Sequence, residues 1–372
     1  MPKHDLRWQE AVKPLLRSVQ TPALVIDTAA IKETYSEFRQ EFGEAIIYYA
    51  LKANPHPGIV KLLHQLGCDF EISSSGELRQ LLEMRIPPER IISGNPTKEA
   101  AFLEQAHANG VGLFALDSHS EIEKLQKYAP RSGICVRLAV SNEGSEWPLS
   151  DKFGVEVDEA VQLLKLASQK GLVPRGVTFH VGSQCTQAET WTKAIEKTRL
   201  VWEGAEAKGV ELDLLNIGGG FPIEYLKPAP SVAEIASVVK ESVGSAFPHG
   251  VNLSLAPGRA LVGEAGTLAA TVIATAKRGE KKWLYLDVGV FNGLMESVGG
   301  IRYPIVTDKT GPDIPWVLSG PTCDSFDVIA DAVELPDLGI GDRVYIRSAG
   351  AYTTSYASQF DGFRIPDTYY VE

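Results

Sequence analysis

The residue best able to do chemistry in this sequence is a lysine that closes an apolar run. In Ile46-Ile-Tyr-Tyr-Ala-Leu-Lys-Ala-Asn, Lys52 stands at the mouth end of a strand-like segment. A lysine desolvated there holds its proton weakly, and its free amine can form a Schiff base. A lysine snorkelling from a strand end fits the same position, and Lys52 alone weighs the two readings about evenly. Further on, Thr178-Phe-His-Val-Gly-Ser puts His180 and Ser183 at the end of another apolar run. The imidazole can stack on a flat ring and the hydroxyl can bind phosphate. A lone histidine there reads more simply as a hydrogen-bonded core residue. Asn216-Ile-Gly-Gly-Gly-Phe-Pro brings three glycines, Gly218–Gly220, whose backbone N–H groups can approach an anion closely. Ala256-Pro-Gly-Arg ends in Arg259 after a tight turn at Gly258, as an anion partner or a surface arginine. Gly320-Pro-Thr-Cys-Asp-Ser sets the thiol of Cys323 beside Asp324, and Gly350-Ala-Tyr-Thr-Thr-Ser-Tyr sets Tyr352 on another glycine turn. Either motif alone reads as structural.

These groups need elements to hold them. Apolar runs recur at Ala45–Leu51, Cys68–Ile72, Arg90–Ser93, Val111–Leu116, Ile134–Ala139, Gly176–Val181, Leu212–Ile217 and Val251–Leu255. Helix-like stretches such as Glu77–Met84, Ser120–Tyr128, Asp158–Lys170 and Thr190–Lys208 lie between them. Eight strand–helix units predict an α/β fold, a (β/α)8 TIM-like barrel over residues 27–265, with an open doubly wound sheet as the alternative. In such barrels the reactive groups sit where strands end, and phosphate sites recur after strands seven and eight. After residue 266 the texture changes. Thr267–Ala276, Lys282–Val288, Ile314–Leu318 and Asp342–Ser348 are strand-like with little helix between them. Residues 1–26 and 266–372 are therefore expected to form a second, β-rich domain, with Ala23–Ile26 adding a strand.

The 372 residues carry a net charge of −11, which argues against nucleic acid as a partner. No apolar run reaches membrane-spanning length, and the N-terminus does not read as a secretory leader. Cys68, Cys135, Cys185 and Cys323 lack CxxC spacing, which speaks against a disulfide scaffold or a zinc site. A reducing cytoplasm is expected.

Taken together, YYALKAN, FHVGSQ, NIGGGFP, APGR, GPTCDS and GAYTTSY resemble the fold type III pyridoxal-phosphate (PLP) decarboxylases of ornithine, lysine and diaminopimelate. The six motifs run in family order from Lys52 to Tyr356. GGGFP, Cys-Asp-Ser and the stretch Trp147–Gly154 resemble the ornithine/lysine branch, whereas Ser73-Ser-Ser-Gly-Glu-Leu leans towards the diaminopimelate enzymes. The resemblance implies an alanine-racemase-like fold with PLP bound to Lys52 and His180 stacked on its ring. Ser183, Gly219, Gly220 and Tyr352 would bind the phosphate, joined by the backbone around Gly258 and Arg259. Cys323 would return a proton to the product. Asp324, and more loosely Glu296, would bind the side-chain amine of the substrate. The resemblance also implies a homodimer in which Cys323 and Asp324 serve the partner's site. The expected reaction converts ornithine or lysine to a diamine, as in polyamine metabolism.

One departure stands out. The resembling family has glutamate where this chain has Ala256, and that glutamate keeps a proton on the pyridine nitrogen. Its loss implies a weaker electron sink, a deliberately replaced residue, or a relative that binds PLP or a partner with little catalysis. Glu264, eight residues on, is too far along the chain to substitute. A racemase, or a decarboxylase of another modified or carrier-linked amino acid, is the alternative within the same chemistry. A second departure is Glu71, where the family has aspartate.

Overall fold

The computed structural model describes residues 8–149 and 152–372, and the chain forms two compact units. One comprises residues 35–222 and 230–258. The other comprises residues 1–34, 223–229 and 259–372. The expected boundaries were 27 and 265. Ser150 and Asp151, within the Trp147–Gly154 stretch, lie outside the described residues.

The first unit is a closed barrel of eight parallel strands. They are Ile46–Ala50, Asp69–Ile72, Ile91–Ser93, Leu113–Leu116, Gly133–Arg137, Val173–Thr178, Leu214–Asn216 and Asn252–Leu255. The last strand closes on the first through Ser254↔Ile46 and Leu255↔Ile47. Each of the eight expected runs yields one strand, because strands covered on both faces need continuous apolar sequence. Every expected helix is present, as at Ser75–Glu83 and Val157–Gln169. Their ends are set locally. Ser74 accepts the backbone N–H of Glu77, and Ser231 with Glu234 forms a reciprocal cap at the start of Val232–Ala246.

Inside the barrel, Tyr48, Ile92 and Ala256 form a buried cluster with Leu113 packed against it. At the wall, Phe221 meets Phe38, Phe42 and Trp191 at ring distances of 5.2, 5.8 and 5.3 Å. Burying each such ring contributes about 1.5–3 kcal/mol, so Phe221 anchors the glycine turn that precedes it. A two-stranded ribbon absent from the expected elements pairs Ser145–Trp147 with Ser183–Cys185.

The second unit is built on an eight-stranded sheet. Its long strand Gly266–Arg278 pairs with Ala23–Asp27 and Arg343–Ile346 near its start, and with Lys281–Leu286 beyond a bulge at Val272/Ala274. Ala23–Asp27 also pairs in parallel with the C-terminal strand Asp367–Val371. Three strands were not anticipated: Ile305–Thr307, Val328–Leu335 and Asp367–Val371. Each has several half-buried or exposed positions, so none forms a sustained apolar run. Trp8, Val12, Leu16, Val25, Ala269 and Tyr345 form a core of this unit.

Candidate active site

A cavity of about 480 Å³ opens at the C-terminal ends of the barrel strands. Its lining includes Lys52, Glu71, Arg137, His180, Gly219 and Ala256.

Lys52 sits on a single helical turn, Leu51–Ala53, directly after the first strand. The Tyr49 hydroxyl donates to the carbonyl of Asn54 at 2.9 Å, and the Asn54 side chain accepts the N–H of His56, which fixes the turn. Lys52 itself is exposed to the cavity. The expected desolvation at the strand end is therefore not what the structure shows, because the chain turns into open space rather than into the core.

His180 follows the sixth strand. Its Nδ1 accepts the N–H of Gly182 at 3.0 Å, which leaves the ring hydrogen on Nε2. Burial lowers its pKa well below the usual range, with Arg137 and Lys52 adding to the shift. The ring is neutral at physiological pH. The unfolded chain binds a proton near pH 6.5 that the folded chain refuses, so this residue's contribution favours folding above that pH and is lost as pH falls. We expect stability to decline between pH 7 and pH 5, and His180→Gln to flatten that decline in urea unfolding followed across this range. Parallel curves for the two proteins would contradict the assignment.

The glycine turn approaches both groups. A Cβ on Gly219 would lie 2.7 Å from the Ala256 carbonyl oxygen and 3.1 Å from His180 Nε2. Gly218 and Gly220 adopt φ of +65° and +102°, where only glycine sits without strain. The opposite wall is held from behind by Lys98. Its fully buried ammonium donates to the carbonyls of Asn95 and Pro96 at 3.1 and 2.9 Å and pairs with Glu121 at 3.1 Å.

Arg137 is a cavity residue that sequence reasoning missed. An arginine closing the apolar strand Gly133–Arg137 was the available signal. Among the described residues Glu71 is the one carboxylate of the lining, together with the cations Lys52, Arg137 and Lys152. Burial raises its pKa, partly offset by Lys52 and Arg137. Ala256 faces the cavity with an apolar methyl, 4% exposed. Ser183 lies in the two-stranded ribbon and is not part of the cavity lining.

Gly258 closes the barrel unit, and the remaining expected residues belong to the second unit. The Arg259 backbone was expected at a phosphate and the Glu296 side chain at a substrate amine. The two side chains are partners of one another, 3% exposed each, with Nη1 donating to Oε2 at 2.7 Å and Nη2 to Oε1 at 2.6 Å. A buried guanidinium and carboxylate within reach neutralise each other before either meets a ligand. Arg259 also stacks on the Tyr352 ring at 4.9 Å and donates to the Tyr225 hydroxyl. Glu264 accepts the N–H of Glu224 and is no substitute for a carboxylate at position 256. Cys323 and Asp324 are exposed in the loop after strand Ile314–Ser319. The buried Asp327 shapes that loop by accepting from Val290 N and from Thr322 N and Oγ1 at 2.7–3.1 Å.

A family model, pyridoxal-dependent decarboxylase, pyridoxal binding domain, matches residues 28–263. The chain belongs to the pyridoxal-dependent decarboxylases. This decarboxylase is 36% identical over 364 residues to the lysine/ornithine decarboxylase of Selenomonas ruminantium, covering 97% of this chain and 92% of that one. It is 33% identical to antizyme inhibitor 2 of Xenopus laevis, over 93% and 80% of the two chains. The crystal structure of lysine/ornithine decarboxylase from Vibrio vulnificus complexed with cadaverine superposes with a TM-score of 0.89 at 33% identity, over 96% and 97%.

The cavity fits PLP. Glycines admit a group where any side chain would collide, the neutral His180 offers a ring face, and among the described residues the lining's cations outnumber its one carboxylate, as a phosphate requires. The decarboxylase uses this cofactor.

Proposed function

We propose that this chain decarboxylates ornithine or lysine to the corresponding diamine. The observation that carries this reading is the convergence of Lys52, His180 and the glycine turn on one cationic cavity. The full-length similarity to enzymes named for these two substrates supports it. When bound, PLP supplies the ring that takes up the electron pair left as carbon dioxide departs. Lys52 would hold the cofactor through its side-chain amine. His180 holds the ring by its uncharged face. The N–H groups at Gly219 and Gly220 bind phosphate, with Ser183, Tyr352 and the backbone at Gly258 as further contacts. Arg259 acts through Tyr352, whose ring it supports. Asp324 selects a cationic side chain, and Cys323 donates the proton that completes the product. Glu296 is left out of the amine site because Arg259 already neutralises it.

A homodimer belongs to the same reading. Cys323, Asp324 and Phe326 are all exposed on one loop, Phe326 at 56%, as residues that serve a neighbouring copy would be. A cytoplasmic location is supported by four free cysteines. Release of carbon dioxide and diamine from each of ornithine, lysine and arginine tests the substrate. Activity on none of the three sinks the reading.

Ala256 favours a second reading, a weakly active relative or one with another amino acid as substrate. Ala256→Glu decides between them. A carboxylate there, facing the cavity, is expected to raise turnover of a basic amino acid at least about tenfold, since one preorganised charge is commonly worth a few kcal/mol. An unchanged rate would mean that a weak electron sink does not limit this chain.

A further inference from the structure

Cys323 is the exposed one of the four cysteines, and its partner comes from a distant segment. Asp361 lies in the turn Phe360–Gly362, 38 residues further along the chain. A single oxygen, Oδ2, accepts both the backbone N–H and the thiol of Cys323, each at 3.4 Å. Asp361 adopts φ +56°, a left-handed conformation that aspartate tolerates better than most residues and that its surroundings hold in place here. Those surroundings are visible. The Phe360 ring packs on Phe291 at 4.7 Å, and Ser358 N donates to the Phe291 carbonyl at 2.8 Å.

We propose that Asp361 is a positioning residue for proton return: its carboxylate aims the Cys323 thiol and keeps it protonated. This rests on the reading of Cys323 as the proton donor. The hydrogen bond and the charge of Asp361 raise the thiol's pKa, with a smaller contribution from Asp324. Among the described residues these two carboxylates are the charged groups acting on the sulfur. An unassisted thiol is partly thiolate at mildly alkaline pH and cannot donate in that form. In the transfer the S–H bond breaks and a C–H bond forms with the electron pair left by departing carbon dioxide. The thiolate is then disfavoured by the negative charge of Asp361 and, less, of Asp324, and takes a proton back from water.

Iodoacetamide alkylation of the purified protein, followed by mass spectrometry at Cys323 between pH 6 and pH 10, reads the thiol directly. Cys68, Cys135 and Cys185 are buried and stay silent. Asp361→Asn and Asp361→Gly both suit a left-handed backbone and remove the charge. Each is expected to speed alkylation at pH 8 by at least about threefold and to move the alkaline limb of kcat to lower pH. Superimposable alkylation profiles in both variants overturn the pairing. Turnover by Cys323→Ser at the native rate overturns the donor role on which the proposal rests, and leaves the alkylation result standing on its own.

Discussion

Lys52→Ala lowers decarboxylation of ornithine or lysine by at least about a thousandfold, the scale seen when a covalent group is removed from an active site. Lys52 stands beyond the core, on a turn pinned by the Tyr49–Asn54 hydrogen bond, and its amine faces the cavity. The variant should fold normally, because an exposed side chain on such a turn contributes little packing. Borohydride reduction of the native protein loaded with PLP should leave the adduct on the peptide containing Lys52, and the variant should carry none. Native-like turnover in Lys52→Ala, or an adduct on another lysine, would remove the basis of the proposed chemistry.

Glu296→Gln gives the second large effect, and here it falls on stability. Arg259 and Glu296 form a bidentate pair out of contact with water. Removing one charge leaves the other buried and uncompensated, at a cost of about 3–5 kcal/mol. The double variant Arg259→Met with Glu296→Gln should recover much of that loss, because no lone charge remains. Denaturant midpoints for the two single variants and the double variant check the cycle. If Glu296 contacted a substrate amine instead, Glu296→Gln would raise KM while leaving the midpoint near that of the native chain.

The barrel was legible because parallel strands covered on both sides must be apolar throughout, and runs such as Ile134–Val136 carry that signature without interruption. The short strand Ile305–Thr307 is half-buried at every position and gives no pattern to read. Residues at strand ends were also legible, since a charged or glycine-rich stop after an apolar run marks the barrel mouth. Pairings were not. Arg259 and Glu296 lie 37 residues apart, and Cys323 and Asp361 lie 38 apart. No local periodicity reports which distant side chain completes a charge. Arg137 escaped for a related reason: a single arginine closing an apolar strand reads as a boundary until the barrel turns it inward.

The parallel pairing of Ala23–Asp27 with Asp367–Val371 bears on how the chain is made. The barrel's residues emerge from the ribosome as a nearly continuous insert and can close while synthesis continues. The β-rich unit cannot, since one companion of Ala23–Asp27 is Asp367–Val371, which is translated only after the whole barrel. During that interval one edge of Ala23–Asp27 offers unpaired N–H and carbonyl groups to any passing strand. Nascent chains stalled just short of residue 367 should therefore contain a finished barrel beside an open, association-prone sheet.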